Sequence, residues 1–140
     1  MIEIEGYKII KNLLYSKDHV WIKIENNKAK IGITDYIQKN LHDIVYIELP
    51  EINSNIHQGK KLALMESIKT ISEIHSPLTG KILKINEELK SKPGLINESP
   101  YGDGWIAIIE PINFEKEKSN LLNFKEYVEY IRKIIEKEKA

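Results

Sequence analysis

The sequence predicts a mainly β fold, a small barrel or sandwich with helices added at the C-terminus. Three observations carry that prediction. Between Val20 and Pro111 short apolar-alternating segments succeed one another, with turn residues recurring about every 8 to 12 positions. Beyond about residue 114 the hydrophobic period changes from two to that of a helix. The chain has 140 residues, 41% of them hydrophobic and 30% charged, which is enough for one domain with its own core. A single domain over 1–140 is therefore expected, with a core at about 15–111 and a helical segment at about 114–138.

The elements follow in order. Val20-Trp21-Ile22-Lys23-Ile24 and Ala29-Lys30-Ile31-Gly32-Ile33 alternate on either side of Asn26-Asn27, which reads as a hairpin. Asp35 is placed to cap a short helix, with Gln38 in capping-box position. Ile44 to Leu49 reads as a strand ended by Pro50, whose ring nitrogen has no hydrogen to give a ladder. Lys61 to Glu66 and Ile71 to Ser76 read as strands joined by the turn Ser67-Ile68-Lys69-Thr70. Pro77 and Thr79-Gly80 turn the chain into a strand at Lys81 to Ile85. Asn86 to Gly104, with two Pro and three Gly, reads as loop with one helical turn. Trp105 to Ile109 is the last strand, stopped at Pro111. Leu121, Phe124, Val128, Ile131 and Ile135 then form an amphipathic stripe, and Asn123 with Glu126 a capping pair.

Charge and composition exclude several function classes. Lys and Arg number 21 and Asp and Glu 21, and Arg132 is the only arginine. A phosphate-binding surface expects net positive charge and bidentate Arg, so nucleic acid is a poor partner. The chain has no cysteine, which removes disulfides, thiolate metal sites and thiol catalysis. No stretch approaches the roughly 18 apolar residues of a membrane span, and Met1 to Tyr7 lacks the basic and apolar regions of a secretory leader. A cytoplasmic location, no membrane contact and a monomeric state are the expectations.

The catalytic inventory is thin. His19, His42, His57 and His75 lack ligand spacing, so no metal site is expected. There is no nucleophile elbow, P-loop or dinucleotide fingerprint, and Gly102-Asp103-Gly104 is too short to cradle a phosphate. Lys69 stands apart by position. At the tip of a tight turn between two apolar strands its amine projects into water, without the desolvation or neighbouring cation that a base or Schiff-base lysine needs. It is well placed for enzymatic acylation.

Glu66-Ser67-Ile68-Lys69-Thr70-Ile71-Ser72-Glu73 resembles the lipoylation hairpin of glycine cleavage system H proteins. Further segments follow that family in order and spacing: Ile31 to Tyr36, Asp43 to Pro50, Ser76 to Gly80, and Pro93 to Trp105. The resemblance covers about Tyr15 to Tyr127. It implies a barrel-sandwich hybrid of two small antiparallel sheets with flanking helices, and a non-catalytic carrier whose Lys69 holds lipoate in amide linkage. Glu66, Ser67, Ile68, Thr70 and Glu73 would form the recognition hairpin for a lipoate-attaching enzyme, and His19, Val20 and Trp21 would border a groove for the arm. The implied partners are glycine decarboxylase (P protein), aminomethyltransferase (T protein) and dihydrolipoamide dehydrogenase (L protein). The chain would shuttle the aminomethyl group of glycine from P protein to T protein.

The sequence departs from the family at a few positions. Where most members read His-Glu-Trp, with a glutamate that helps hold the amino group of the loaded arm, this chain reads His19-Val20-Trp21. Thr70 replaces the usual Ala, Glu73 the commoner Asp, and His42 the usual Gly. Val20 keeps open a second carrier reading, an H-protein-like lipoate-binding protein of a heterodisulfide-reductase-like sulfur oxidation pathway. A biotin carrier fits less well, because its lysine sits between two methionines. An unmodified interaction module using the C-terminal helix is the alternative from another class.

Overall fold

The computed structural model describes residues 1–139. Among the described residues eleven strands are numbered in chain order. β1 (Ile2–Ile4) and β2 (Tyr7–Ile9) form an N-terminal hairpin. β3 (Leu14–Tyr15), β4 (Val20–Glu25) and β5 (Lys28–Ile33) lead into the helix α1 (Asp35–Leu41). Then come β6 (Ile44–Glu48), β7 (Asn55–Ile56), β8 (Lys61–Ser67), β9 (Ile71–His75) and β10 (Gly80–Ile85). A 3₁₀ turn at Glu87–Lys90 and α2 (Leu95–Glu98) precede β11 (Ala107–Pro111), and α3 (Phe114–Glu117) and α4 (Phe124–Lys139) close the chain.

A six-stranded antiparallel sheet, ordered β3-β4-β5-β11-β10-β7, faces a three-stranded one, β6-β8-β9. The β4–β5 hairpin turns on Asn26 and Asn27, both left-handed at φ 51° and 62°, the two-residue turn that matches strand twist and that Asn tolerates best. The apolar faces of the two sheets enclose one buried cluster that includes Val20, Ile22, Ile31, Met65, Ile74, Ile82 and Ile109. A second cluster lies outside the six-stranded sheet. There α4 lays Tyr127, Val128, Ile131 and Ile135 against Ile4, Ile9, Tyr15, Trp21 and Tyr36. The helical stripe is thus buried at 127, 128, 131 and 135; Leu121 precedes the helix, and Phe124 is half-buried. Asn123 and Glu126 cap it reciprocally, each backbone N–H donating 2.9 Å to the other's side chain.

Three local expectations need correction. The cap of α1 is Thr34, whose hydroxyl accepts from Ile37 N, because Thr34 still has extended backbone while Asp35 is already helical. Asp35 is instead buried as a brace, accepting 2.8 Å bonds from Lys8 N and from the Gln38 side chain. The last strand starts at Ala107 and includes Pro111. Its neighbour β5 pairs only with Ala107 to Ile109, so the missing N–H at Pro111 breaks no bond to β5. The loop after β10 holds two helical turns rather than one. The β1–β2 hairpin went unread, although Ile2, Ile4, Tyr7 and Ile9 alternate around Glu5-Gly6, which turn at φ 53° and 86°. The very short β3 and β7 also escaped, since two residues carry no periodicity. Among the described residues no helix is long and apolar enough to cross a membrane.

His42 shows what the usual glycine at its position is for. It ends α1 at φ 65° and ψ −159°, a region essentially reserved for glycine, and its N–H closes the helix on Gln38 O. His42→Gly should therefore stabilise the fold by about 1 kcal/mol, the relieved strain exceeding the entropy glycine gains on unfolding. A higher urea midpoint at unchanged slope is the expected result.

Candidate functional site

The β8–β9 hairpin ends in an exposed tip. Glu66 pairs with Ile71, leaving Ser67 to Thr70 as the tip. Ser67 organises it. Its N–H donates 2.8 Å to Thr70 O, and its hydroxyl oxygen accepts from Lys69 N at 3.1 Å and Thr70 N at 3.0 Å. Ile68 N donates 3.0 Å to Asp43 O, tying the tip to the start of β6. Lys69 is exposed at the end of this fixed turn, flanked by two apolar side chains left in water, Ile68 at 70% and Ile71 at 59%. Isolated apolar side chains on a surface are ordinary, but two beside one lysine make a contact surface.

Behind the tip, along the same hairpin, runs a groove of about 280 Å³. Ile33, Ile37, Leu41, Met65 and Ile74 give it an apolar floor, and Asp18, His19, Glu73 and His75 stand among its polar walls. At a strand rise of about 3.3 Å per residue, Ser72 to His75 lie roughly 10 to 20 Å from Lys69. A lysine extended by an eight-carbon acyl chain spans a comparable distance. The apolar floor suits such a chain, and the polar walls suit a charged or hydrogen-bonding end.

The walls are built from distant parts of the sequence. His75 bridges two carboxylates, its Nδ1 3.3 Å from Asp18 Oδ2 and its Nε2 3.3 Å from Glu73 Oε1. Opposite in character is His19. Its backbone is left-handed at φ 67°, within a tight turn in which His19 N donates to Ser16 O and Val20 N to the Ser16 hydroxyl. Its ring lies among Tyr36, Tyr130 and Tyr127, with centroids at 4.8, 5.6 and 5.8 Å. Burial pushes the His19 pKa down to about 4 against the opposing pull of Asp18, so the imidazole is neutral at pH 7. Burial likewise raises the phenol of Tyr127, and raises that of Tyr36 to about 12 with help from a hydrogen bond to Glu138.

Of the three N-terminal residues expected at the groove, only His19 lines it. Val20 and Trp21 are each 1% exposed. Successive strand residues face opposite sides, so Val20 enters the core between the sheets and Trp21 the core beneath α4. Trp21 has a structural task there. Its Nε1 donates 2.9 Å to Pro100 O, and a Cβ on Gly32 would lie 2.7 Å from its ring, so the small residue in Ile31-Gly32-Ile33 makes room for the indole. The Pro93 to Trp105 segment also braces: Asn97 accepts from Ile44 N and donates to Gln38 Oε1 and His42 O. Glu66 and Ser67 are half-buried and Thr70 and Glu73 exposed on the hairpin, where Glu73 reaches the groove. Sequence reasoning missed Asp18, His75 and the groove floor. His75 stands two residues after Glu73, on the same strand face, which was the one signal available.

The family model described as Glycine cleavage H-protein matches residues 13–134. The "Glycine cleavage system H protein 4" of Aquifex aeolicus (strain VF5) is 42% identical over 136 residues, 97% of this chain and 79% of that protein. The "Probable glycine cleavage system H protein" of Pyrococcus horikoshii is 44% identical over 133 residues, 94% of this chain and 98% of that protein. A crystal structure of a glycine cleavage system H protein from Mycobacterium marinum matches with a TM-score of 0.77 at 30% identity, covering 85% of this chain and 95% of that one. The two facing sheets with flanking helices are the lipoyl-type barrel-sandwich arrangement.

The depressed His19 pKa makes a prediction about stability. Because the folded value lies below the unfolded 6.5, the unfolded chain binds the extra proton first as pH falls. Stability should drop from pH 6.5 downward and level off below about pH 4, by at most about 3 kcal/mol from this group. His19→Asn keeps a residue that tolerates left-handed backbone and should lose that component. The difference between the two proteins' urea midpoints across pH 7 to 4 measures it.

Proposed function

Because the chain belongs to the glycine cleavage H-protein family, we propose that it is a carrier subunit, not a catalyst, lipoylated on Lys69 and loaded with the aminomethyl group of glycine. It would take that group from glycine decarboxylase (P protein) and deliver it to the tetrahydrofolate-dependent aminomethyltransferase (T protein), with dihydrolipoamide dehydrogenase (L protein) completing the cycle. The observation that supports this reading best is the alignment of an exposed lysine on a rigid turn with an apolar groove behind it on the same hairpin. When bound, the lipoyl group would supply a reducible disulfide that accepts a group on sulfur.

The chain's own residues do the rest. Ser67 fixes the turn, so the attaching enzyme meets Lys69 in one geometry without first ordering a loop. Ile68 and Ile71 offer apolar contact beside it. Ile33, Ile37, Leu41, Met65 and Ile74 exclude water from whatever the groove takes in, which slows hydrolysis of a reactive cargo. One tether between several partner sites raises the effective concentration of the cargo at each. We propose that 1–140 acts as one lipoyl-type domain, since α4 shares a core with β1, β2 and α1. The sulfur-oxidation reading keeps one specific support: Val20 is buried and apolar, at the place of the glutamate in the His-Glu-Trp pattern of most of the family.

The test is the intact and peptide mass of protein isolated from its native host. One lipoyl amide on Lys69 is expected, and an unmodified Lys69 overturns the carrier reading. Lys69→Arg should stay unlipoylated with stability within about 0.5 kcal/mol of the original, as for an exposed position. Lipoylated protein should then take up radiolabel from glycine methylene carbon in the presence of a cognate decarboxylase; failure to do so favours the sulfur-oxidation cargo.

A further inference from the structure

We propose that Asn97 is a positioning residue for the acylation of Lys69: it clamps the backbone on either side of Asp43 and so holds the carbonyl to which the hairpin tip is tied. The inference rests on the carrier reading above and adds to it a residue from outside the hairpin.

The hydrogen bonds around Asn97 carry the argument. Its Oδ1 accepts 2.9 Å from Ile44 N, and its Nδ2 donates 2.9 Å to His42 O. Both partners are backbone groups, one a donor only and the other an acceptor only, so they settle which end of the amide is oxygen. The two residues so held flank Asp43. Its carbonyl accepts 3.0 Å from the N–H of Ile68, the residue before Lys69. The register sets Ile44 opposite Ser67, which makes this the cross-strand bond from β6 nearest the tip.

The sheet leaves this stretch weakly held. β6 is an edge strand, so on the side away from β8 the Ile44 N–H faces no other strand, and Asn97 takes that place. The β6–β8 register also shifts between Ile44 and Tyr46, so regular pairing stops at Tyr46 and Glu66, short of the tip. Directly before Asp43 comes the strained backbone of His42. Asn97 spans all of this and is itself anchored. Its neighbour Ile96 is completely buried in the core between the sheets. Its second amide hydrogen goes 3.0 Å to Oε1 of Gln38, a buried side chain that in turn donates 2.8 Å to Asp35 Oδ1. A fixed line thus runs from the core through α2 to the residue beside Lys69. A tip already ordered in the free protein has less freedom to lose when an enzyme encloses it.

The probe is the unmodified protein, acylated by the lipoate-attaching enzyme of its native host supplied with lipoyl adenylate. The Lys69 amine bonds to the acyl carbon, AMP leaves with the electron pair of the broken bond, and the displaced proton goes to solvent. Initial rates at varied carrier concentration separate binding from chemistry. Asn97→Ala should raise the KM for the carrier about tenfold and leave kcat within about twofold, because the tip must then be ordered on binding. Asn97→Asp keeps the acceptor for Ile44 N but loses both donated bonds, and should fall between. Amide hydrogen exchange supplies a readout independent of the enzyme. In Asn97→Ala the Ile68 amide should exchange at least about tenfold faster, and by a larger factor than the amides of β4 and β5, which report overall stability.

Equal KM values in the original and both variants, or an Ile68 amide whose exchange rises no more than those of β4 and β5, would each overturn the inference while lipoylation of Lys69 stood. Original protein that the enzyme does not acylate would overturn the carrier reading and this inference together. Should Asn97→Ala not fold, Asn97→Asp and the Ile68 amide of the original protein decide alone. That amide should be protected, and exchange at the rate of an unstructured chain would overturn the clamp.

Discussion

Tyr127 is where the parts of this molecule are fastened to one another. It comes from the C-terminal helix, yet its ring stacks on Tyr15 of β3 at 4.2 Å and 5°, and its hydroxyl bridges Thr34, the cap of α1, to His19. Residues as far apart in the chain as Tyr15 and Tyr127 thus meet at one phenol. A buried phenol is tolerable only because its oxygen is satisfied; its large apolar ring contributes the packing. Beside it the Tyr130 hydroxyl donates 2.9 Å to Lys17 O, a second tie between the helix and the turn that carries His19.

The site divides its labour between a rigid presenter and a receptive surface. The hairpin tip is stiffened by the Ser67 hydroxyl and by the bond from Ile68 to Asp43, which ties the tip to the neighbouring strand of the three-stranded sheet. Motion is thereby left to the lysine side chain and anything attached to it. The groove, in turn, joins the apolar interior edge of both sheets and α1 to a polar wall contributed by the turn before β4 and by β9. Its net charge is zero, and its ion pairs are mostly exposed and individually weak.

Much of this was legible in the chain itself. Asn26-Asn27 between alternating runs specifies a two-residue turn because Asn tolerates positive φ. The reciprocal capping of α4 follows from Asn and Glu three residues apart. The exposed position of Lys69 follows from two apolar strands joined by four residues. In each case the determining interactions lie within a few residues of one another. The cap of α1 was misread by one residue, since Thr34 and Asp35 are both good caps and only the backbone angle at 34 separates them.

The sequence by itself determined the local elements, the presentation of Lys69 and, through its motifs, the family. The tertiary structure alone decided what lies in the groove. Asp18 and His75 are 57 residues apart, and His19 and Tyr127 are 108 apart, so no periodicity links them. The alternation of a strand says that Val20 and Trp21 face opposite ways, but both directions lead to buried cores, and only the packing of α4 on the outer face made the second one. Local rules act through neighbouring dihedrals and side chains; a groove is made by surfaces that the chain brings together only after those rules have been satisfied.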